Sequence, residues 1–141
     1  MFRTLSDTVS VSPQITAEDV AAAKELGFTQ VVCNRPAGEE PGAPQPAEIE
    51  DAAKAHGLSF LSLPFATGGP SAAQVQAMGA AVETAEKTGG KVLAYCRSGT
   101  RSATLWAMAQ GRAGADEDAV IEAARAAGYD LSGLRGRLSG P

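Results

Sequence analysis

Apolar positions come in short runs of about four, separated by longer amphipathic stretches, and the two periods alternate along the chain. Residues 8–11 read as a first strand, ended by Ser12 and Pro13. Thr16 then caps a helix, with Asp19 completing a capping box and Gly27 standing where a left-handed residue ends it. A strand over residues 30–33 leads into a Pro- and Gly-rich loop, 35–46, too long for a simple turn. A second helix is predicted over 47–56 and is stopped by Gly57. A strand over 59–63 follows, and then a loop over 64–70. Ser71 with Gln74 makes a second capping box, opening a helix to about residue 88 that Gly89 and Gly90 break.

Residues 91–95 form a short apolar strand, 96–101 a turn, and 102–112 a helix with apolar surface at Leu105, Trp106 and Met108. Asp116 caps a last helix to residue 127, ended by Gly128. The stretch 131–141 is Gly- and Ser-rich and is expected to fray. Strand and helix alternation of this kind predicts an α/β fold, a mainly parallel central sheet flanked by helices. Ligands of such sheets bind beyond the carboxyl ends of the strands, which is where Cys96 falls.

Composition narrows the function classes. A length of 141 residues suits one domain with its own core, taken here as residues 1–141. Aromatics are only 5%, so the core must rest on Leu, Val, Ile and small residues. A net charge of −4 argues against nucleic acid as a partner. No apolar run approaches the roughly 20 residues that span a bilayer, so no membrane partner is expected. Residues 1–4 lack a basic stretch followed by an apolar one, and a cytoplasmic location is the expectation. With only Cys33, Cys96 and His56 as soft donors, no metal cluster stands out, and no Gly-rich nucleotide loop implies a cofactor.

The chemistry concentrates in residues 92–102, a buried-looking strand followed by Cys96, four residues, Arg101 and a helix. A helix N-terminus and nearby guanidinium groups favour a thiolate at Cys96. The intervening amides of Arg97, Ser98, Gly99 and Thr100 can form a nest for an anion. Gly99 permits a tight turn with φ above zero. Arg101 can hold an oxyanion through two parallel hydrogen bonds, and a cation in a first helical turn needs an anionic partner. Ser102 or Thr100 can donate a hydroxyl to the sulfur, and both are also ordinary helix-capping residues. Arg97 is either a solvent-facing side chain or a substrate clamp.

Other residues carry weaker signals. Asn34 and Arg35 leave the neighbouring strand at its carboxyl end and either border the pocket or only form a turn exit with Pro36. Cys33 reads as a small core residue, with a resolving thiol as the alternative. Glu39 and Glu40 read as solvated loop charges, and His56 as a helix-end charge. Trp106 and Tyr129 read as packing residues.

Cys96 to Ser102, CRSGTRS, resembles the active loop of single-domain rhodaneses, which are thiosulfate and persulfide sulfurtransferases. Ser10–Pro13, Thr16–Phe28 and Val31–Pro36 resemble the opening strand, helix and strand of protein tyrosine and dual-specificity phosphatases. Together with residues 34–42, NRPAGEEPG, they resemble the bacterial family named for the phosphatase-like domain of beta-lactamase-hydrolase-like proteins. The resemblance runs to about Tyr129. It implies a cysteine-nucleophile enzyme acting on a small anionic sulfur or phosphate substrate. It also implies a functional link to a persulfide dioxygenase, because related domains are joined to one. Phosphatases of this fold carry five residues between Cys and Arg and a general acid on a preceding loop. Here the interval is four and the loop 64–70 has no acid, which favours sulfur transfer through a Cys96 persulfide to a thiol acceptor. Phosphate ester hydrolysis through a Cys96 phosphocysteine is the alternative, and an oxyanion-binding module without turnover is a third reading.

Overall fold

A computed structural model describes residues 2–138. Five strands form one sheet: β1 (Arg3–Thr4), β2 (Val9–Ser12), β3 (Gln30–Cys33), β4 (Ser59–Ser62) and β5 (Val92–Tyr95). Their order is β1-β2-β5-β3-β4, with β1 antiparallel to β2 and every other neighbour parallel. The sheet is therefore mixed only through β1, a two-residue strand that the hydrophobic pattern did not reveal because both of its residues are exposed.

The helices are α1 (Ala17–Glu25), α2 (Pro46–Ala55), α3 (Ala72–Thr88), α4 (Thr100–Arg112) and α5 (Glu117–Ala126). Both capping boxes read from the sequence are present, at Thr16 with Asp19 and at Ser71 with Gln74. A third, Gln45 with Glu48, opens α2 one residue earlier than expected, with Pro46 in the first turn. Proline is favoured there because its missing N–H would have had no intrahelical partner.

Strand alternation sorts the core into two layers. Val31, Cys33, Leu93 and Tyr95 face one side and pack with Val20 of α1 and Ile49 of α2. Val9, Val11, Val32, Val92 and Ala94 face the other and pack with Met78, Leu105, Trp106 and Ile121 of α3, α4 and α5. Full burial of each large aliphatic side chain contributes roughly 1.5–3 kcal/mol. Cys33 is thus a core residue facing α1 and α2, and burial pushes its thiol up.

The expectation of fraying beyond Leu131 fails for residues 131–138. A 3₁₀ turn spans Ser132–Leu134, Leu138 is buried, and Glu117 accepts hydrogen bonds from the Gly136 and Leu138 amides. A Gly/Ser-rich composition hid this packing, because two buried leucines, Leu131 and Leu138, supply the anchors. Residues 139–141 of the expected tail lie outside the described residues.

Candidate active site

β5 is inserted between β2 and β3, so its carboxyl end is flanked on both sides by parallel neighbours. This is a switch point of the sheet, where loops diverge and leave a crevice. Three backbone bonds register the loop that follows: Cys96 N–H to Ser12 O at 3.3 Å, Asn34 N–H to Tyr95 O at 2.9 Å, and Gln14 N–H to Arg97 O at 3.3 Å.

From Cys96 the chain turns immediately into α4, which starts at Thr100 with Gly99 at its N-cap. Helix entry is two residues earlier than the spacing suggested, so Thr100 and Ser102 are not the cap. Gly99 has φ 97°, and a side chain there would place its first carbon 2.0 Å from the Tyr129 hydroxyl oxygen. Tyr129 donates that hydroxyl to Ser98 O at 3.1 Å. It is buried, as a packing residue should be, and it also buttresses the loop from 31 residues away.

Of the amides expected to form the nest, that of Gly99 donates to Cys96 Sγ at 3.0 Å, while that of Thr100 donates to Ser98 Oγ. Cys96 has no solvent-exposed surface. Arg101 lies within electrostatic reach of it, but the paired guanidinium donors expected to hold an oxyanion are taken by Glu39. The Ser98 and Thr100 hydroxyls bond each other at the rim, and Ser98 Oγ accepts the Thr100 amide. Arg97 is exposed, without an ion-pair partner among the described residues. Ser102 does not donate to the sulfur. Its buried hydroxyl donates to Asn34 Oδ1 at 2.8 Å, and Asn34 Nδ2 donates to Leu63 O at 2.9 Å. Asn34 therefore fastens α4 to β3 and to the start of the loop 64–70.

Glu39 is exposed, as a solvated loop charge should be, but it is also paired. Its Oε1 accepts from Arg101 Nη2 at 2.7 Å and from Arg35 Nε at 2.8 Å, while Oε2 accepts from Arg101 Nη1 at 2.9 Å. Arg101 Nη1 also donates to Phe65 O at 3.0 Å. Arg35 is only 3% exposed and reaches Gln14 Oε1 and Glu40 Oε1 as well, so it ties its own loop to the one between β2 and α1. Hydrogen bonds from Arg101 and then Arg35 outweigh burial and hold the Glu39 carboxyl below the usual carboxylate range. Glu39 in turn raises Arg101, against its burial. Burial works against the Arg35 charge, yet Glu40 and Glu39 raise it further than burial lowers it. Gln45 closes the loop on itself, donating to Glu40 O and Ala43 O and accepting from the Gly38 amide.

Cys96, Arg101, Asn34 and Arg35 thus come together, with Gly99 as the hinge. The residues that sequence reasoning undervalued are Glu39 and Tyr129. An acidic pair four and five residues after Arg35 was the available signal for Glu39. No group of three or more His, Cys, Asp or Glu side chains suited to a metal occurs among the described residues.

Residues 1–115 match the family described as beta-lactamase hydrolase-like protein, phosphatase-like domain. The beta-lactamase hydrolase-like protein of Xylella fastidiosa (strain Temecula1 / ATCC 700964) is 31% identical over 131 residues, covering 90% of this chain. The chain spans 29% of the length of that relative. A candidate phosphatase from Neisseria meningitidis Z2491 has a similar structure, with TM-score 0.79 and 31% identity over 97% of this chain and 95% of that one. The active form of Tk-PTP shares the fold at TM-score 0.74 and 21% identity, covering 97% and 92% of the two chains. The architecture is phosphatase-like, of the tyrosine and dual-specificity type.

Proposed function

The chain belongs to the family of phosphatase-like domains of beta-lactamase hydrolase-like proteins, and from that premise we propose that it is a cysteine-nucleophile sulfurtransferase. The observation that carries this reading is the state of Glu39. It is the carboxylate that contacts Arg101, and two guanidinium groups hold it ionised. An ionised carboxylate cannot protonate a leaving oxygen, and the loop 64–70 supplies no acid either. Such a site suits a leaving group that departs as a stable anion.

Sulfite is one. The Cys96 thiolate attacks the outer sulfur of thiosulfate, the new S–S bond forms, and the old S–S bond breaks with its electron pair leaving on sulfite. The Gly99 amide and Arg101 stabilise the charge on the persulfide that remains. An acceptor thiolate then attacks the outer sulfur and restores the Cys96 thiolate.

The phosphatase reading is supported by the description of the family and by the candidate phosphatase from Neisseria meningitidis. It requires the short loop to cradle a phosphoryl group and an ester whose leaving group needs no proton. Intact mass after incubation with thiosulfate separates the two. A gain of one sulfur atom, absent in Cys96→Ser, is the expected result. Hydrolysis of an aryl phosphate with no sulfur gained would establish the phosphatase instead. Sulfate binding with neither reaction would leave an oxyanion-binding module.

A further inference from the structure

One face of α4 leads away from the site. Arg101, Thr104 and Met108 are its half-buried positions, and Arg112 is the exposed one that ends the row. Spacings of 3, 4 and 4 residues keep them in one line, and at 1.5 Å per residue the line is about 16 Å long. It forms the floor of a groove of about 440 Å³ that includes Thr104, Met108 and Arg137, bounded by Gly68 to Pro70 on one side and Leu134 to Leu138 on the other. A smaller hollow of about 220 Å³ continues it to Arg112 and Val75. At its other end the row reaches the hollow lined by Glu39, Ala66, Thr67 and Arg101.

The groove is cationic in a chain of net charge −4. Among the described residues, Arg112 and Arg137 have no carboxylate partner, as is also true of Arg3 and Arg97, whereas Arg35, Arg101, Arg125 and Arg135 all do. No acidic side chain lines either hollow of the groove. The carboxylates on its outskirts are already engaged, Glu83 by Lys87 and Glu117 by the Gly136 and Leu138 amides.

We propose that this groove binds an extended acidic segment of a protein whose cysteine is the sulfur acceptor, with the acceptor thiol at the Arg101 end and a carboxylate at Arg112 and Arg137. The span of about 16 Å corresponds to about five extended residues, so the acid stands about five positions from the acceptor cysteine. The apolar surface of Met108, Leu134 and Leu138 takes the segment between. The assignment of a sulfur acceptor rests on the sulfurtransferase reading; the charge preference of the groove does not.

The test uses the full chain carrying Cys96→Ser and a labelled peptide with one Cys, a Gly/Ser spacer and two Glu five and six positions on. Fluorescence polarisation compares it with the same peptide carrying Gln. The acidic peptide should bind roughly tenfold more tightly, and Arg112→Ala with Arg137→Ala should remove that advantage. Both arginines are exposed, so the double variant folds. Equal binding of the two peptides, or an advantage that survives the double variant, overturns the groove. In the wild-type chain loaded with sulfur, transfer to the acidic peptide should outpace transfer to the Gln peptide and to a small neutral thiol, and the double variant should lose only that gain. Faster transfer to the small thiol overturns the protein acceptor. Failure of Cys96 to take up sulfur, with the binding preference intact, overturns the sulfurtransferase reading and leaves the groove an acid-binding one.

Discussion

Arg101 is a long side chain held at both ends of its guanidinium, because Glu39 takes two of its nitrogens and Phe65 O shares one. Glu39→Gln keeps the shape but replaces a charged acceptor with a neutral amide, so Arg101 loses its register. Sulfur loading should slow roughly tenfold to a hundredfold, since small misplacements of a charge clamp are costly in the transition state. Rapid-quench mass spectrometry would read it, and an unchanged loading rate would remove Glu39 from the positioning of Arg101. Gly99 is a second critical position. Gly99→Ala meets both the positive φ and the Tyr129 hydroxyl, and should destabilise by about 2–4 kcal/mol. Tyr129→Phe relieves only part of the contact, so the double variant should remain less stable than wild type in urea melts.

At the level of elements, α4 couples the site to the chain end. Gly111 lies against Leu138, with an added side-chain carbon placed 2.2 Å from the Leu138 carbonyl oxygen. Backbone cannot yield as a flexible side chain can. Gly111→Ala should therefore detach residues 131–138, expose them to limited proteolysis, and cost about 1–3 kcal/mol. An intact segment in that variant would contradict the packing. The helices and most strands were legible in the sequence because their punctuation is local: Thr16 with Asp19, Ser71 with Gln74, and glycines 27, 57 and 89 in left-handed conformation. Strand β1 and the docked 131–138 segment were not, because β1 is two exposed residues with no apolar alternation of their own, and the segment is held by Glu117 from about 20 positions away. The same division holds inside the site. Gly99, Cys96 and Arg101 announce themselves within six residues, whereas Glu39 meets Arg101 across 62 positions and Tyr129 meets Ser98 across 31.

Across the whole molecule, the net charge of −4 disfavours the approach of small anions, so an anionic substrate depends on the local cations of the pocket. Acid acts on the clamp in a defined direction. Glu39 ionises in the folded chain at lower pH than an ordinary glutamate, first because of Arg101. Its contribution to stability is thus full above the ordinary glutamate value and disappears as pH falls through the lowered one. The stability gap between wild type and Glu39→Gln should accordingly be constant near neutrality and close in acid, below about pH 4.3. A gap that persists at the lowest pH at which both fold would show that the ion pairs add nothing. The sealed position of Cys96 reaches further. On the function proposed above, reagents reach the sulfur only through local opening of the fold. Alkylation by iodoacetamide should therefore be far slower than that of a free cysteine, and alkylation at the free-cysteine rate would show that the cover does not close.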